Sequence, residues 1–443
     1  MSLDNQSNNP TNNSNNNSIS NHYSSYPSSN QFEITNPSRV LSTPIKTALQ
    51  AASSKSSIPV LEGILFSLDT EGLTLTGSDL EQWIVVRVDE VKLPLGLTNE
   101  PIKFVMPKKV AEAILRLPDG LAVFEFLPER VSLRISYGEK LKNSQTHQLY
   151  KADGFIQVPE VRGEEFPFPI DLKRVAFAVG TDQSRTLFTG ININFEARKI
   201  AATDTHRMVV MDILGEIKIP EEAIKIAPKI NMPARMVNAI ASLDEPALTV
   251  GNGLIKAQSG DKITTIISRL IPGEYPRLSP VVSQVDRPLF VVEVSVREIT
   301  GTMNRVGLMI PSSKMPSFIF RSDGYITVSA QSESGMVSED IPYELIGGEV
   351  GTEAEGGAEE GSEKVKLECL FSTRQIMDAL KHAESEKVTW GLTGQYSPSV
   401  IRAAAGAGER QGRRDDKDKG KGKGNDSGDN WLCIIVPGRM GGE

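Results

Sequence analysis

The chain has 443 residues, enough for about three domains of ordinary size, and its 39% hydrophobic and 23% charged residues are an ordinary globular composition. A net charge of −8 excludes a protein that coats nucleic acid with a uniformly basic surface, and two cysteines, Cys369 and Cys433, are too few for a disulfide framework or a four-cysteine zinc site. No run reaches the ~18 apolar residues of a membrane helix, and the start lacks a secretory signature and has no arginine before Arg39, so a cytoplasmic location is expected.

Residues 1–30 are Asn/Ser-rich, with too little apolar content for a core, and are expected to be disordered. Helices are expected at residues 43–54, 107–118, 171–180, 233–243, 295–306 and 372–385. Thr43-Pro44, Pro107, Asp171, Pro233, Ser295 and Ser372 stand where N-caps or first-turn prolines belong. Between the helices lie alternating strands such as Val123–Phe126 with Val131–Ile135, bounded by Gly, Asp and Pro. A hairpin pattern at 63–69 and 72–79 recurs at 190–195 and 199–204, its aspartates Asp79 and Asp204 lying 125 positions apart, and again at 318–331, 127 positions further on. The reading is an α+β chain of three repeated domains, 31–160, 161–287 and 288–443, each of two helix-plus-sheet modules. Residues 347–364, acidic and Gly-rich, and 406–430, which include the Lys419 to Lys423 Lys/Gly run, read as solvated insertions in the third domain because strand-like sequence resumes beyond each.

The six helix windows carry eleven basic residues: Lys46, Lys108, Lys109, Arg116, Lys173, Arg174, Arg235, Arg297, Arg305, Arg374 and Lys381. Against five acids, that is a surplus of six positive charges on a chain of net charge −8. Helices opposite in sign to the body point to one shared anionic partner, weighed against the ordinary use of Lys and Arg on solvated helix faces.

At Ile58-Pro-Val-Leu61, at 74–80 (TLTGSDL), at Ala202-Thr-Asp-Thr-His-Arg207, at Gly273-Glu-Tyr-Pro276 and at Val436-Pro-Gly-Arg-Met440, the sequence resembles the bacterial DNA polymerase III beta subunit family, the DNA sliding clamps, from about residue 31 to 440. The resemblance implies a head-to-tail homodimeric ring around duplex DNA, with the helices lining the hole and Lys55 joining the eleven cations as DNA-facing. It implies a hydrophobic pocket for a client's short linear motif, built from Phe188, Thr203, His206, Arg207 and Met208 with Pro276, Val281, Tyr396, Ile434 and Val436. The polymerase III catalytic subunit, the clamp loader and repair proteins would share that pocket. At the subunit interface it implies Arg130 on one side and Met309, Ile310, Glu339 and Asp340 on the other. Three departures bear on the pocket. Thr205 stands where the family has glycine, Pro280 where it commonly has arginine, and Gly438 where it has a bulky residue.

No catalytic constellation emerges. His22, His147, His206 and His382 lack metal-ligand spacing, no phosphate-loop motif is present, and Asp415-Asp416 lie in an insertion that cannot hold a metal pair rigid. The expectation is a non-catalytic processivity subunit without metal or cofactor. A β-rich scaffold that never encircles DNA and an unrecognised nuclease or phosphatase are the competing readings.

Overall fold

The computed structural model describes residues 30–53, 55–93, 100–215, 217–311, 314–333, 335–348, 367–404 and 431–439. The expected disordered segments lie outside the described residues, apart from Asn30 and the glycines 347 and 348, which close a strand.

One module, a strand, a helix and three further strands, recurs six times. The first repeat runs β1 (Gln31–Thr35), α1 (Pro37–Val40), α2 (Ser42–Leu49), β2 (Gly63–Asp69), β3 (Gly72–Ser78) and β4 (Gln82–Val88). Its second module is β5 (Ile102–Pro107), α3 (Lys108–Ile114), β6 (Leu121–Leu127), β7 (Ser132–Tyr137) and β8 (Asn143–Gln148), with a short added β9 (Tyr150–Lys151). The second repeat runs β10 (Phe166–Pro167), α4 (Lys173–Ala176), β11 (Gly190–Asn194), β12 (Lys199–Thr203) and β13 (Arg207–Asp212), then α5 (Glu221–Ile226). It continues with β14 (Lys229–Pro233), α6 (Arg235–Ile240), β15 (Ala247–Gly251), β16 (Leu254–Gln258) and β17 (Thr264–Arg269), and α7 (Ser279–Gln284) leads out. The third runs β18 (Phe290–Ser295), α8 (Val296–Met309), β19 (Ser317–Phe320), β20 (Tyr325–Ser332) and β21 (Gly335–Gly348). It ends in β22 (Leu367–Leu370), α9 (Thr373–His382), β23 (Lys387–Leu392), β24 (Ser399–Ala403) and β25 (Leu432–Ile435).

All six expected helices form, shorter than expected except at α8 because the windows included caps and closing turns, and α2 starts one residue early at Ser42. Ser295 and Ser372 accept from the N3 amides Glu298 N at 3.4 Å and Gln375 N at 3.5 Å, satisfying donors that a helix start leaves orphaned. Each long helix buries one stripe: Ile299, Thr302, Met303 and Val306 on α8, Ile376, Ala379 and Leu380 on α9.

The strands make three sheets, in the orders β1-β6-β7-β8, β10-β15-β16-β17-β4-β3-β2-β5-β9 and β14-β11-β12-β13-β25-β24-β23-β18-β21-β20-β19-β22. The two larger sheets cross between repeats by one rule. The last strand of a repeat's first module pairs antiparallel with the last strand of the next repeat's second module: β4 with β17 (Trp83 opposite Ile267) and β13 with β25 (Met208 opposite Ile434). β25 is therefore an interior strand, paired with β24 as well, rather than the edge strand that its position near the chain end suggests. One core cluster serves the first repeat, from Phe32 to Leu149, and another runs through the second and third. Among the described residues no helix is long and apolar enough to cross a membrane.

Candidate functional site

The same hairpin geometry stands at both joints. Asp79 Oδ1 accepts from Glu81 N at 3.0 Å and Gln82 N at 2.8 Å, and Asp204 Oδ1 accepts from His206 N at 2.9 Å and Arg207 N at 2.8 Å. The residue after each aspartate is left-handed, Leu80 at φ 80° and Thr205 at φ 77°. Each hairpin is then tied to the helix that opens the second module of the following repeat. Arg235 Nη1 on α6 reaches Asp79 Oδ2 at 2.7 Å, and at the second joint the polarity is reversed, Arg207 Nη1 reaching Asp378 Oδ2 on α9 at 2.7 Å.

Arg207 is the centre of the second joint. It is 6% exposed, its Nε donates to Asp204 Oδ2 at 2.9 Å, its Nη2 to Phe177 O at 2.6 Å, and its guanidinium stands 5.3 Å from the Phe177 ring centroid. The other face of this knot is His382, stacked on Phe177 at 4.4 Å and 8°, with Nδ1 2.8 Å from Asp378 O. Trp431 Nε1 closes it by donating to Arg174 O at 2.9 Å. The side chain assigned to the pocket thus spans two repeats and is buried, a structural role for a planar five-donor group.

The other expected pocket residues converge here in two layers. Met208 and Ile434 are 8% and 1% exposed and share an apolar cluster with Ala201, Val285 and Val400, half-buried Val281 of α7 packing against it. They are the floor, not the open cleft that their side chains suggest in sequence. Tyr396, in the connection between β23 and β24, and Val436, just after β25, are 53% and 38% exposed, and His206 and Pro276 are exposed. The backbone of His206, not its ring, is fixed, its carbonyl accepting from Val436 N at 2.9 Å. Phe188 is half-buried, edge-on to Tyr275 at 6.2 Å, and Thr203 Oγ1 donates to Arg207 O at 2.6 Å. At the first joint the corresponding floor position is Trp83, paired with Ile267 and covered by Arg269 at 5.7 Å, so that joint is filled from within.

A β-branched residue in the left-handed region is strained, and Thr205 is exposed, so little packing offsets that strain. Thr205→Gly is expected to stabilise the chain by about 1 kcal/mol after the added flexibility of the unfolded chain is subtracted. A higher denaturant midpoint at unchanged slope is the expected reading; an unchanged or lower midpoint would contradict it.

Among the twelve expected DNA-facing cations, Lys46, Lys55, Lys108, Lys109, Arg116, Lys173, Arg297, Arg374 and Lys381 are exposed. Arg374, though exposed, also has Nε 3.9 Å from Asp378 Oδ2, and three others are committed more closely within the chain. Arg174, only 13% exposed along its side chain, reaches Glu384 at 3.3 Å, Arg235 holds Asp79, and Arg305 grips Glu339 with Nε and Nη2 at 2.7 and 2.5 Å. The grip on Glu339 and the contact of Asp340 with Arg321 at 3.0 Å also engage two expected interface acids inside their own repeat. Arg130 is exposed, while Met309 is half-buried and Ile310 buried. Burial pushes the thiols of Cys369 and Cys433 up to about 12, which leaves them inert as nucleophiles.

A model of the N-terminal domain of the DNA polymerase III beta subunit matches residues 31–143, and one of its central domain matches residues 168–277. The beta sliding clamp of Bacillus subtilis (strain 168) is 24% identical over 373 residues, covering 81% of this chain and 92% of that protein; that of Halalkalibacterium halodurans is 25% identical over 370 residues, covering 80% and 90%. Among solved structures, the sliding clamp from Bacillus subtilis superposes with a TM-score of 0.72 at 22% identity over 93% of this chain and 99% of that one. The DNA polymerase III beta chain from Streptococcus pneumoniae gives 0.73 at 19% over 93% and 100%.

Proposed function

Because the chain belongs to the DNA polymerase III beta subunit family, we propose that it is a DNA sliding clamp, a non-catalytic subunit that encircles duplex DNA and confers processivity on the replicative polymerase. The reading is a homodimer closed head to tail, cytoplasmic, with domain boundaries near residues 160 and 287. One observation carries it: the pairing rule of the two joints leaves one strand at each end of the series with an open edge. Among the described residues Gly335–Pro342 of β21 pairs only with β20, and β8 only with β7. By the rule these are the next pair, the first on one protomer and the second on its partner, and two such pairings close a ring while removing two open edges from each protomer. Exposed apolar groups gather at the first edge. Leu308 is 86% and Met336 69% exposed, and Met309 Cε lies 3.8 Å from where a Cβ on Gly335 would stand.

Lys46, Lys108, Lys109, Lys173, Arg297, Arg374 and Lys381 then meet DNA phosphates from the inner helices, and Lys55 and Arg116 from the connections that follow α2 and α3. Contacts of that kind hold without reading sequence, as sliding requires. The polymerase III catalytic subunit, the clamp loader and repair proteins bind in turn at the second joint, inserting hydrophobic side chains over Met208 and Ile434 between Tyr396 and Val436. Joint-to-joint pairing favours this over a scaffold that never encircles DNA. The experiment is topological: a clamp held by its ring leaves DNA when the DNA gains an end.

A further inference from the structure

In each repeat, the segment that follows the last strand lies along the strand that opens the second module. Tyr150 pairs with Val105 on β5, Ile271 N donates to Asn231 O on β14 at 2.8 Å, and Gly438 N donates to Leu370 O on β22 at 2.8 Å. The cross-strand neighbours of these three anchor residues differ in chemistry. Leu65 stands opposite Val105 and Ser317 opposite Leu370, whereas Asn192 on β11 stands opposite Asn231. The two amides are buried, 7% and 5% exposed, at a register where the first repeat has an aliphatic pair clustered with Phe155.

An aliphatic pair would fill such a core without the desolvation that two amides cost, but the hydrogen bonds of amides have direction. Asn192 Nδ2 donates to Asn231 Oδ1 at 2.9 Å and to Ile230 O at 3.3 Å. Its oxygen held in this way, Asn231 turns Nδ2 to the folded-back segment, donating to Gly273 O at 2.8 Å and Ile271 O at 3.4 Å. Gly273, at φ 115°, sits over Leu187, where an added Cβ would stand 3.3 Å from Leu187 Cδ2. Two residues on, Tyr275 is 8% exposed and edge-on to Phe188, whose carbonyl accepts from Gly180 N at 2.7 Å. Pro276 follows directly. The amide pair thus fixes, from within the sheet, the backbone that brings Tyr275 to Phe188 and carries Pro276.

We infer that Asn231, oriented by Asn192, is a positioning residue of the peptide pocket, setting Phe188 and Pro276 through the Gly273 carbonyl without itself touching the client. This rests on the pocket proposed above. The ligand class is a short peptide ending in hydrophobic residues.

The test gives the full chain the pair that the first repeat carries, Asn192→Leu with Asn231→Val. Exchanging both members of a buried hydrogen-bonded pair for apolar groups is close to neutral for folding. The melting temperature of the double variant is therefore expected to stay within a few degrees of the parent, while amide hydrogen exchange across residues 270–276 accelerates. Anisotropy titration of a short fluorescein-labelled peptide ending in Leu-Phe is expected to show binding weakened roughly tenfold. Tyr396→Asp, at an exposed pocket residue, is expected to abolish binding. Parent affinity in the double variant beside lost binding in Tyr396→Asp would overturn the inference and leave the pocket standing. Weakened binding with a melting temperature lowered beyond those few degrees, or with unchanged exchange across 270–276, would also overturn it, assigning the amides to the fold alone. Parent affinity in both variants would overturn the pocket itself.

Discussion

Replacing Arg207 with alanine is expected to destabilise the joint between the second and third repeats by about 3–5 kcal/mol, the usual consequence of removing one member of a buried charge network. The guanidinium satisfies Asp204, Asp378 and the Phe177 carbonyl at once, so its removal strands two carboxylates that are only 20% and 31% exposed. Arg207→Lys keeps the charge but cannot reach all three acceptors, and an intermediate loss is expected. The measurement is calorimetric unfolding of both variants. A melting temperature for Arg207→Ala within a degree or so of the parent would contradict the assignment of Arg207 as the link between repeats.

Leu308→Asp is expected to separate the dimer into folded protomers. The residue is 86% exposed within one protomer, so its replacement removes almost no internal packing and the protomer keeps its fold. Across the proposed interface the change forfeits roughly 1.5–3 kcal/mol of apolar burial and adds a buried carboxylate at each of two contacts, enough to weaken association on the order of a thousandfold or more. Sedimentation velocity at micromolar concentration should give the mass of one chain for the variant and of two for the parent. A variant that sediments as the parent does would remove the α8 end and the β20–β21 hairpin from the interface.

The repeat was legible because its markers are local. An aspartate that caps a hairpin contacts amides two and three residues on, so Asp79 and Asp204 carry their geometry in their own neighbourhood. The helices announced themselves through caps at Ser295 and Ser372. β10 gave no comparable signal, having two residues of which the second is Pro167, with Pro169 two positions further on. What failed to read from sequence was long-range. The acceptor of Arg207 on α9 is 171 positions away, and the partner of Arg305 on α8 is 34 positions away on β21, so a surplus of helix charge overstated the number of unengaged cations. Phe177 went unnoticed, and Tyr275 was marked only as part of its motif, because an aromatic gives no sign in sequence of which ring or guanidinium it will meet. Burial misled at Met208 and Ile434 for the same reason: motif position indicates the joint, but only the packing of α7 and β24 against them makes them a floor.

The central claim is that topology, not chemical affinity, keeps this protein on DNA. The most direct measurement loads labelled protein onto closed circular duplex DNA, cuts half of the sample once with a restriction enzyme, and follows retention on the DNA by gel filtration. Protein is expected to persist on the uncut circle and run off the linear molecule, with the Leu308→Asp protomer retained on neither. Equal loss of the parent protein from circle and linear DNA would contradict it.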